Sequence, residues 1–245
     1  MASLKPPITY PRRGLHGEVV HRIALQIVSG ELQPGDVLSE DDLTSDLAIS
    51  RTVVREAVRV LSAKGLVEAR PRTGTRVKPR SAWNIADPDV MHWRLETGPD
   101  SKLFEEMSEV RRGIEPVAAG LAASRATAEE IEVIADAFAG MEAGAGEQAA
   151  YLAADLRFHD GILAACHNEL MWHLGGILRA VLQTTFEVTT APPRSRRRAL
   201  PLHEAILLGI RARDPEAAEE ATKALIADTA ADLRRAAKRG RLQPT

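Results

Sequence analysis

Arg51, Arg55 and Arg59 recur every four residues along residues 50–65, while Val54, Val58 and Leu61 fall on the opposite side. This spacing predicts a helix with one cationic face and one apolar face. Such a helix must bury its apolar side against a small core and leave the arginines outward. The charge around it is concentrated: residues 50–80 carry nine basic and two acidic side chains. Over all 245 residues the charges nearly cancel, with 32 Lys and Arg against 34 Asp and Glu. A cationic surface set apart in this way attracts a polyanion, and nucleic acid is the usual one. A solvated basic surface is the plain alternative.

The flanking punctuation predicts a winged helix-turn-helix over residues 1–80. Leu15, Val19, Ile23 and Ile27 mark one apolar face of a first helix that stops at Gly30. A turn over 33–36 leads to a second helix over 39–47, opened by a Ser cap and acids. Ser50 caps the third helix, 51–64, and Gly65 ends it. Residues 66–69 and 76–78 read as two strands joined at Gly74, with Arg72 and Arg76 beside the turn. On such a frame Arg51, Arg55 and Arg59 enter a major groove, where an Arg grips guanine O6 and N7. The Ser50 and Thr52 hydroxyls and the helix N-terminus suit phosphate oxygens.

Residues 81–100 read as a linker with one short helix after Pro88, and 101–245 as an antiparallel helical bundle without strands. Expected helices cover 102–124, with Pro116 interrupting the ladder, then 127–143 with a Thr127/Glu130 capping box. Further helices are expected over 147–166, 168–188 (weakened at Gly175-Gly176), 200–212 and 215–237, the last capped by Asp214. Residues 191–194 read as a loop, so Arg194 and Arg196 to Arg198 form a basic loop cluster, solvated or attractive to an anion. Aromatic residues are 4% of the chain, which disfavours a β-sandwich. No apolar run approaches the ~18 residues of a membrane span, residues 1–13 lack a signal-type apolar core, and the lone Cys166 cannot form an internal disulfide. The expectation is a cytoplasmic protein, mainly α.

One constellation in the bundle carries chemistry. Asp155 and His159 are four apart and share a helix face, and His203 lies on another helix. An Asp with two His is a ligand set for Zn, Ni, Mn or Fe. Alone, the Asp155–His159 spacing more often describes an ordinary helix-surface pair. His92, His167 and His173 have no partners at metal spacing, and Cys166 reads as a small buried residue.

The stretch from Asp42 to Val77, with Ser-Arg-x-x-Val-Arg-Glu-Ala at 50–57, a Gly-Leu-Val strand and a Gly-Thr wing, resembles the DNA-binding domain of GntR-type bacterial transcription regulators. That resemblance implies DNA contacts from Arg51, Thr52 and Arg55, with Gly74 at the wing. Asp41 and Asp42 depart from it, standing where many members carry a non-acidic residue, which puts a DNA contact from that helix in doubt. Asp155-Leu-Arg-Phe-His159, Asn168-Glu-Leu, Leu202-His203-Glu-Ala-Ile and Asp214-Pro-Glu-Ala-Ala look like the FCD effector domain of the FadR branch. Many members hold a divalent metal there through one Asp and three His. Asp155, His159 and His203 match three of those positions; Leu225 stands at the fourth, and Asp228, a turn on, is a poor substitute. Glu109-Val-Arg111-Arg112-Gly-Ile-Glu115-Pro116 is similar to another stretch of that domain, which implies that Arg111 binds an effector carboxylate. A surface salt bridge with Glu115 is the alternative, and Arg112 the competing residue.

The segment 83–93, WNIADPDVMHW, is similar to the linker of galactonate-type sugar-acid operon repressors. The resemblance therefore implies a homodimeric, ligand-responsive repressor on a double-stranded DNA operator, with a sugar acid or related carboxylate as effector and Zn, Ni or Mn as cofactor. It implies no enzyme. A metal-dependent enzyme built on Asp155, His159 and His203, or an architectural DNA binder with a structural bundle, are the other readings.

Overall fold

The computed structural model describes residues 14–47, 49–70, 74–85, 87–97, 101–175 and 192–238. Two compact units divide the chain, Met1–Gly98 and Pro99–Thr245. Mainly helical architecture with one small sheet is what the sequence predicts.

In the first unit α1 (Leu15–Ser29) ends at Gly30, a short strand β1 (Val37–Leu38) leads into α2 (Glu40–Leu47), and α3 (Arg51–Ala63) follows. The hairpin is β2 (Val67–Arg70) and β3 (Gly74–Val77). The sheet order is β1-β3-β2, antiparallel, with Leu38 opposite Thr75 and Val67 opposite Val77. Strand β1 has no counterpart in the sequence reading, because two residues carry no period; pairing with β3 alone defines it. Ser50 caps α3, accepting the N–H of Val53 at 3.4 Å. Val54, Val58 and Leu61 are buried against Val20, Ile23 and Ile27 of α1. Leu15, placed on the same apolar face, is the first helical residue and is 53% exposed.

The segment after the hairpin is packed onto this core. A 3-10 turn (Arg80–Ala82) precedes α4 (Pro88–Glu96). Trp93 of α4 is fully buried, and its indole N–H donates to His21 Nδ1 at 3.2 Å. Lys64, the C-cap of α3, is itself buried and bonds Asp87 at 2.9 Å and Asp89 at 2.7 Å. Gly65 has a left-handed φ of +77°, and a Cβ there would meet the Ala82 carbonyl oxygen at 2.4 Å, so only glycine fits.

The second unit is helical throughout its described residues. Helix α5 (Ser101–Arg125) runs through Pro116 without ending there. Next come α6 (Ala128–Ala143) and α7 (Gln148–Ala165). The Thr127/Glu130 capping box is present, with Glu130 N–H to Thr127 Oγ1 at 3.2 Å and Thr127 N–H to Glu130 Oε2 at 2.8 Å. Helix α8 begins at 169 and is described to 175; Gly176 and the rest of the expected 168–188 helix lie outside the described residues. Gly175 faces Leu163, where a Cβ would come within 2.6 Å of a methyl carbon. Helix α9 (Pro193–Arg211) starts well before the expected residue 200, and α10 (Pro215–Lys238) is the last described helix, capped by Asp214 on the Ala217 N–H. The early start of α9 corrects the loop reading of 193–194 and of the arginine cluster that follows. Pro193 occupies the first turn, where a missing N–H costs nothing, and the arginines that follow are good helix formers. Helix α10 packs along α5 and α9, and α6 along α7. Ile134, Met141, Phe158, Ile206 and Ile210 fill the core between them. No helix among the described residues is long and apolar enough to cross a membrane.

Candidate functional site

Two surfaces carry the residues singled out from the sequence. In the first unit, α3 presents Arg51, Arg55 and Arg59 to solvent, with side chains 66%, 67% and 81% exposed. Thr52 is exposed beside them, and Ser50 uses its oxygen as the helix cap while keeping its hydroxyl proton to donate. Gly74 opens β3 at φ +80°, and a Cβ there would press on Val37 at 2.9 Å. Arg76 donates to the Gly35 carbonyl at 2.9 Å. Arg72 lies outside the described residues. What the sequence does not reveal is how the acids of α2 meet this face. Asp41 Oδ1 stands 2.9 Å from Arg51 Nη2, and Glu40 Oε2 accepts from Arg55 Nε at 3.1 Å. Pairs this exposed contribute little to stability, so the arginines can exchange them for another anion.

In the second unit Arg111 of α5, Tyr151, Asp155 and His159 of α7, and Arg196 and His203 of α9 line one cavity. Asp155, His159 and His203 are 2%, 4% and 3% exposed. One ligand atom from each lies within 4.8 Å of the other two. His203 Nε2 is 3.1 Å from Asp155 Oδ1, and His159 Nε2 is 3.4 Å from the same oxygen. Yet Asp155 Oδ1 and His203 Nε2 make no well-directed hydrogen bond among the described residues. The outer nitrogens explain this: His203 Nδ1 faces the Ala199 carbonyl at 2.9 Å, and His159 Nδ1 is 3.5 Å from Glu115 Oε2. With the ring protons on those outer atoms, lone pairs converge on the centre, the arrangement of an imidazole ligand held by an outer-shell acceptor. Buried polar atoms that face one another without hydrogen bonds are satisfied by a bridging cation or water. The residues therefore fit a divalent metal with three protein ligands and open positions.

When the two rings carry a proton on the inner nitrogens instead, with no cation present, they stabilise the carboxylate directly. Burial by itself would push the Asp155 carboxyl up; the His203 and His159 rings beside it outweigh burial and hold the group well below the usual carboxylate range. Burial likewise opposes ionisation of Glu115, and Arg111 and His159 overcome it, so its carboxyl also sits below its ordinary value. Arg111 grips Glu115 with Nε at 2.6 Å and Nη2 at 3.2 Å. The two side chains are 2% and 5% exposed. The Arg111–Glu115 pair thus exists, but buried at the cavity wall instead of on the surface, because α5 turns this face inward. Arg112 is exposed.

Leu225, buried on α10, lines the cavity where the resemblance puts a fourth imidazole. Asp228 is already engaged, accepting from Arg198 Nε at 2.8 Å, and Arg198 also bonds Asp232. The basic cluster is split by its helix: Arg194 and Arg197 are exposed, whereas Arg196 is 3% exposed, with Nε on the Ala145 carbonyl at 2.9 Å. Tyr151 was missed from the sequence, although 151, 155 and 159 share one helical spacing. It is fully buried, and its hydroxyl has no hydrogen-bond partner among the described residues. Burial, then the Asp155 carboxylate, push its phenol far up, against the pull of Arg196. Cys166 is buried, its thiol on the Leu163 carbonyl at 3.1 Å; His167 meets Glu130 at 2.9 Å, and His92 pairs with Glu96 at 3.3 Å.

Residues 15–77 match the gntR family of bacterial regulatory proteins, and residues 106–228 match the FCD domain. The chain is 35% identical over 218 residues to the galactonate operon transcriptional repressor of Escherichia coli K12, covering 88% of this chain and 95% of that one. It is 35% identical over 164 residues to the transcriptional regulator LutR of Bacillus subtilis 168, covering 66% and 73%. Among solved structures, a Listeria monocytogenes protein, Lar, aligns at a TM-score of 0.61 and 18% identity over 92% of this chain and 99% of that one. Streptococcus agalactiae GntR aligns at 0.50 and 24%, over 89% and 99%. These two likenesses concern the fold. The family and its relatives are transcriptional regulators and not enzymes. The chain belongs to the GntR family of bacterial transcriptional regulators, with a winged helix-turn-helix followed by an FCD domain.

Proposed function

We propose that this protein is a cytoplasmic repressor of a sugar-acid or related carboxylate catabolic operon, released from DNA by its effector. The observation that carries the effector half is the convergence of Asp155, His159 and His203 on one buried centre inside the FCD domain. Those three residues would hold a divalent metal (Zn, Ni or Mn), which supplies a positive charge for carboxylate and hydroxyl oxygens. Arg111, on the same cavity, orients the carboxylate while Glu115 fixes its guanidinium. The likeness to a galactonate operon repressor supports the choice of effector class.

The DNA half rests on the exposed face of α3. Arg51, Arg55 and Arg59 read or neutralise the major groove, Ser50 and Thr52 bind phosphates, and the wing at Gly74, with Arg72, follows the backbone. Two copies in a homodimer set two such helices on a palindromic operator. Effector and DNA then oppose each other by linkage: each weakens the other's binding by the same factor.

Fluorescence anisotropy on DNA from upstream of the protein's own gene tests this. Galactonate, gluconate, lactate and glycolate are titrated, with added metal and after chelation. Release by one of these acids that disappears on chelation is expected. Tight DNA binding indifferent to every acid would overturn the sugar-acid effector and leave a different ligand class or an architectural role.

A further inference from the structure

Tyr151, Asp155 and His159 are spaced at four and stack on the inward face of α7. The Tyr151 ring belongs to the hydrophobic core of the second unit, while its residue lines the cavity that holds the triad. A phenylalanine would fill that core place equally well, so packing leaves the hydroxyl unexplained. Buried phenol oxygens ordinarily find a partner. This one has none among the described residues, although Asp155, His159 and His203 share its cavity. Arg196, on the same cavity, turns Nε and Nη2 to the carbonyls of Ala145 and Gly146 at 2.9 and 3.4 Å. A neutral donor is left buried and without a partner among the described residues, on a residue that lines the cavity where an acid would be held.

We infer that Tyr151 is a specificity-determining residue whose hydroxyl hydrogen-bonds an alcohol oxygen of the effector, so that the site selects a polyhydroxy acid over an aliphatic acid. The inference rests on the effector-site reading above. A site built to bond a substrate hydroxyl disfavours the analogue that lacks it, because the buried donor is then left unpaired.

The test compares full-length, zinc-loaded wild type with Tyr151→Phe by calorimetric titration with galactonate and with hexanoate, a chain of equal length without hydroxyls. Zinc content and melting temperature are read on both proteins. Tyr151→Phe keeps its zinc and melts at the same temperature or higher, since no bond within the protein is lost. Its galactonate affinity falls about tenfold, while its hexanoate affinity is unchanged. Equal galactonate affinity in the two proteins overturns the inference, as does an equal loss for both acids, which would mark a structural effect. A wild type that does not bind galactonate, whether or not it binds hexanoate, overturns the sugar-acid reading itself, and the two failures are thereby distinct.

Discussion

Lys64 Nζ lies 2.7 Å from Asp89 Oδ2, and both side chains are withdrawn from solvent. The contact joins the C-cap of the arginine-bearing helix α3 to α4, with Asp87 as a second carboxylate partner and the Trp93 ring 5.9 Å away. An ammonium buried between two carboxylates is costly to leave half-made.

Lys64→Met therefore destabilises the first unit by about 3–5 kcal/mol, because two carboxylates lose their cation while remaining buried. Urea unfolding followed by tryptophan fluorescence reads this. A loss under about 1 kcal/mol, the range of an exposed pair, would show that the contact contributes no more than a surface bridge.

The DNA contact proposed for Arg51 requires its pair with Asp41, at 2.9 Å, to open. Arg51→Ala is expected to remove operator specificity, about 1–3 kcal/mol for a lost bidentate base contact, with the fold intact by circular dichroism. Asp41→Asn has the opposite effect, tightening operator binding about two- to fivefold by removing a competing charge. Weaker binding by Asp41→Asn would mean instead that Asp41 orients Arg51 for its contact.

His203→Ala or His159→Ala should cost more metal affinity than the ~10–100-fold that loss of an outer-shell partner causes, while effector-free operator binding persists. Leu225→His, which restores an imidazole where the resemblance expects one, should retain metal more tightly through dialysis and respond less to the acid, since it fills an open position. Metal analysis and anisotropy on the same samples check both. Normal acid-induced release by metal-free His203→Ala would sink the metal-held effector.

Acid should unfold the second unit through Asp155 and Glu115. Both carboxyls sit below their ordinary values when folded. The unfolded chain therefore takes up protons that the native one refuses, and their contribution, fully present above about pH 5, drains away as pH falls through and below the ordinary carboxylate range near 4. Denaturation midpoints between pH 6 and 3, chosen as the working range about that value, should fall more steeply in wild type than in Asp155→Asn. Parallel curves would show that Asp155 is not held ionised by its neighbours.

Much of this was legible in the sequence, and the parts share a reason. The arginine face of α3, the Ser50 and Thr127 caps and the Asp155–His159 pair all depend on residues within about one helical turn of each other, so spacing alone specified them. The rest depended on which distant groups meet. Strand β1 is two residues long and exists only against β3. The start of α9 at Pro193 was hidden by a proline pair that reads equally as a loop or as a first turn. Packing decided that Arg111 closes on Glu115 inside the bundle, that Arg196 is buried while Arg194 and Arg197 are not, and that His203 brings its Nε2 to the oxygen Asp155 shares with His159. The sequence determined which chemistry each helix carries, because side-chain identity and periodicity are local. Only the tertiary structure decided which of those groups lose their water together, because burial is a property of the whole fold.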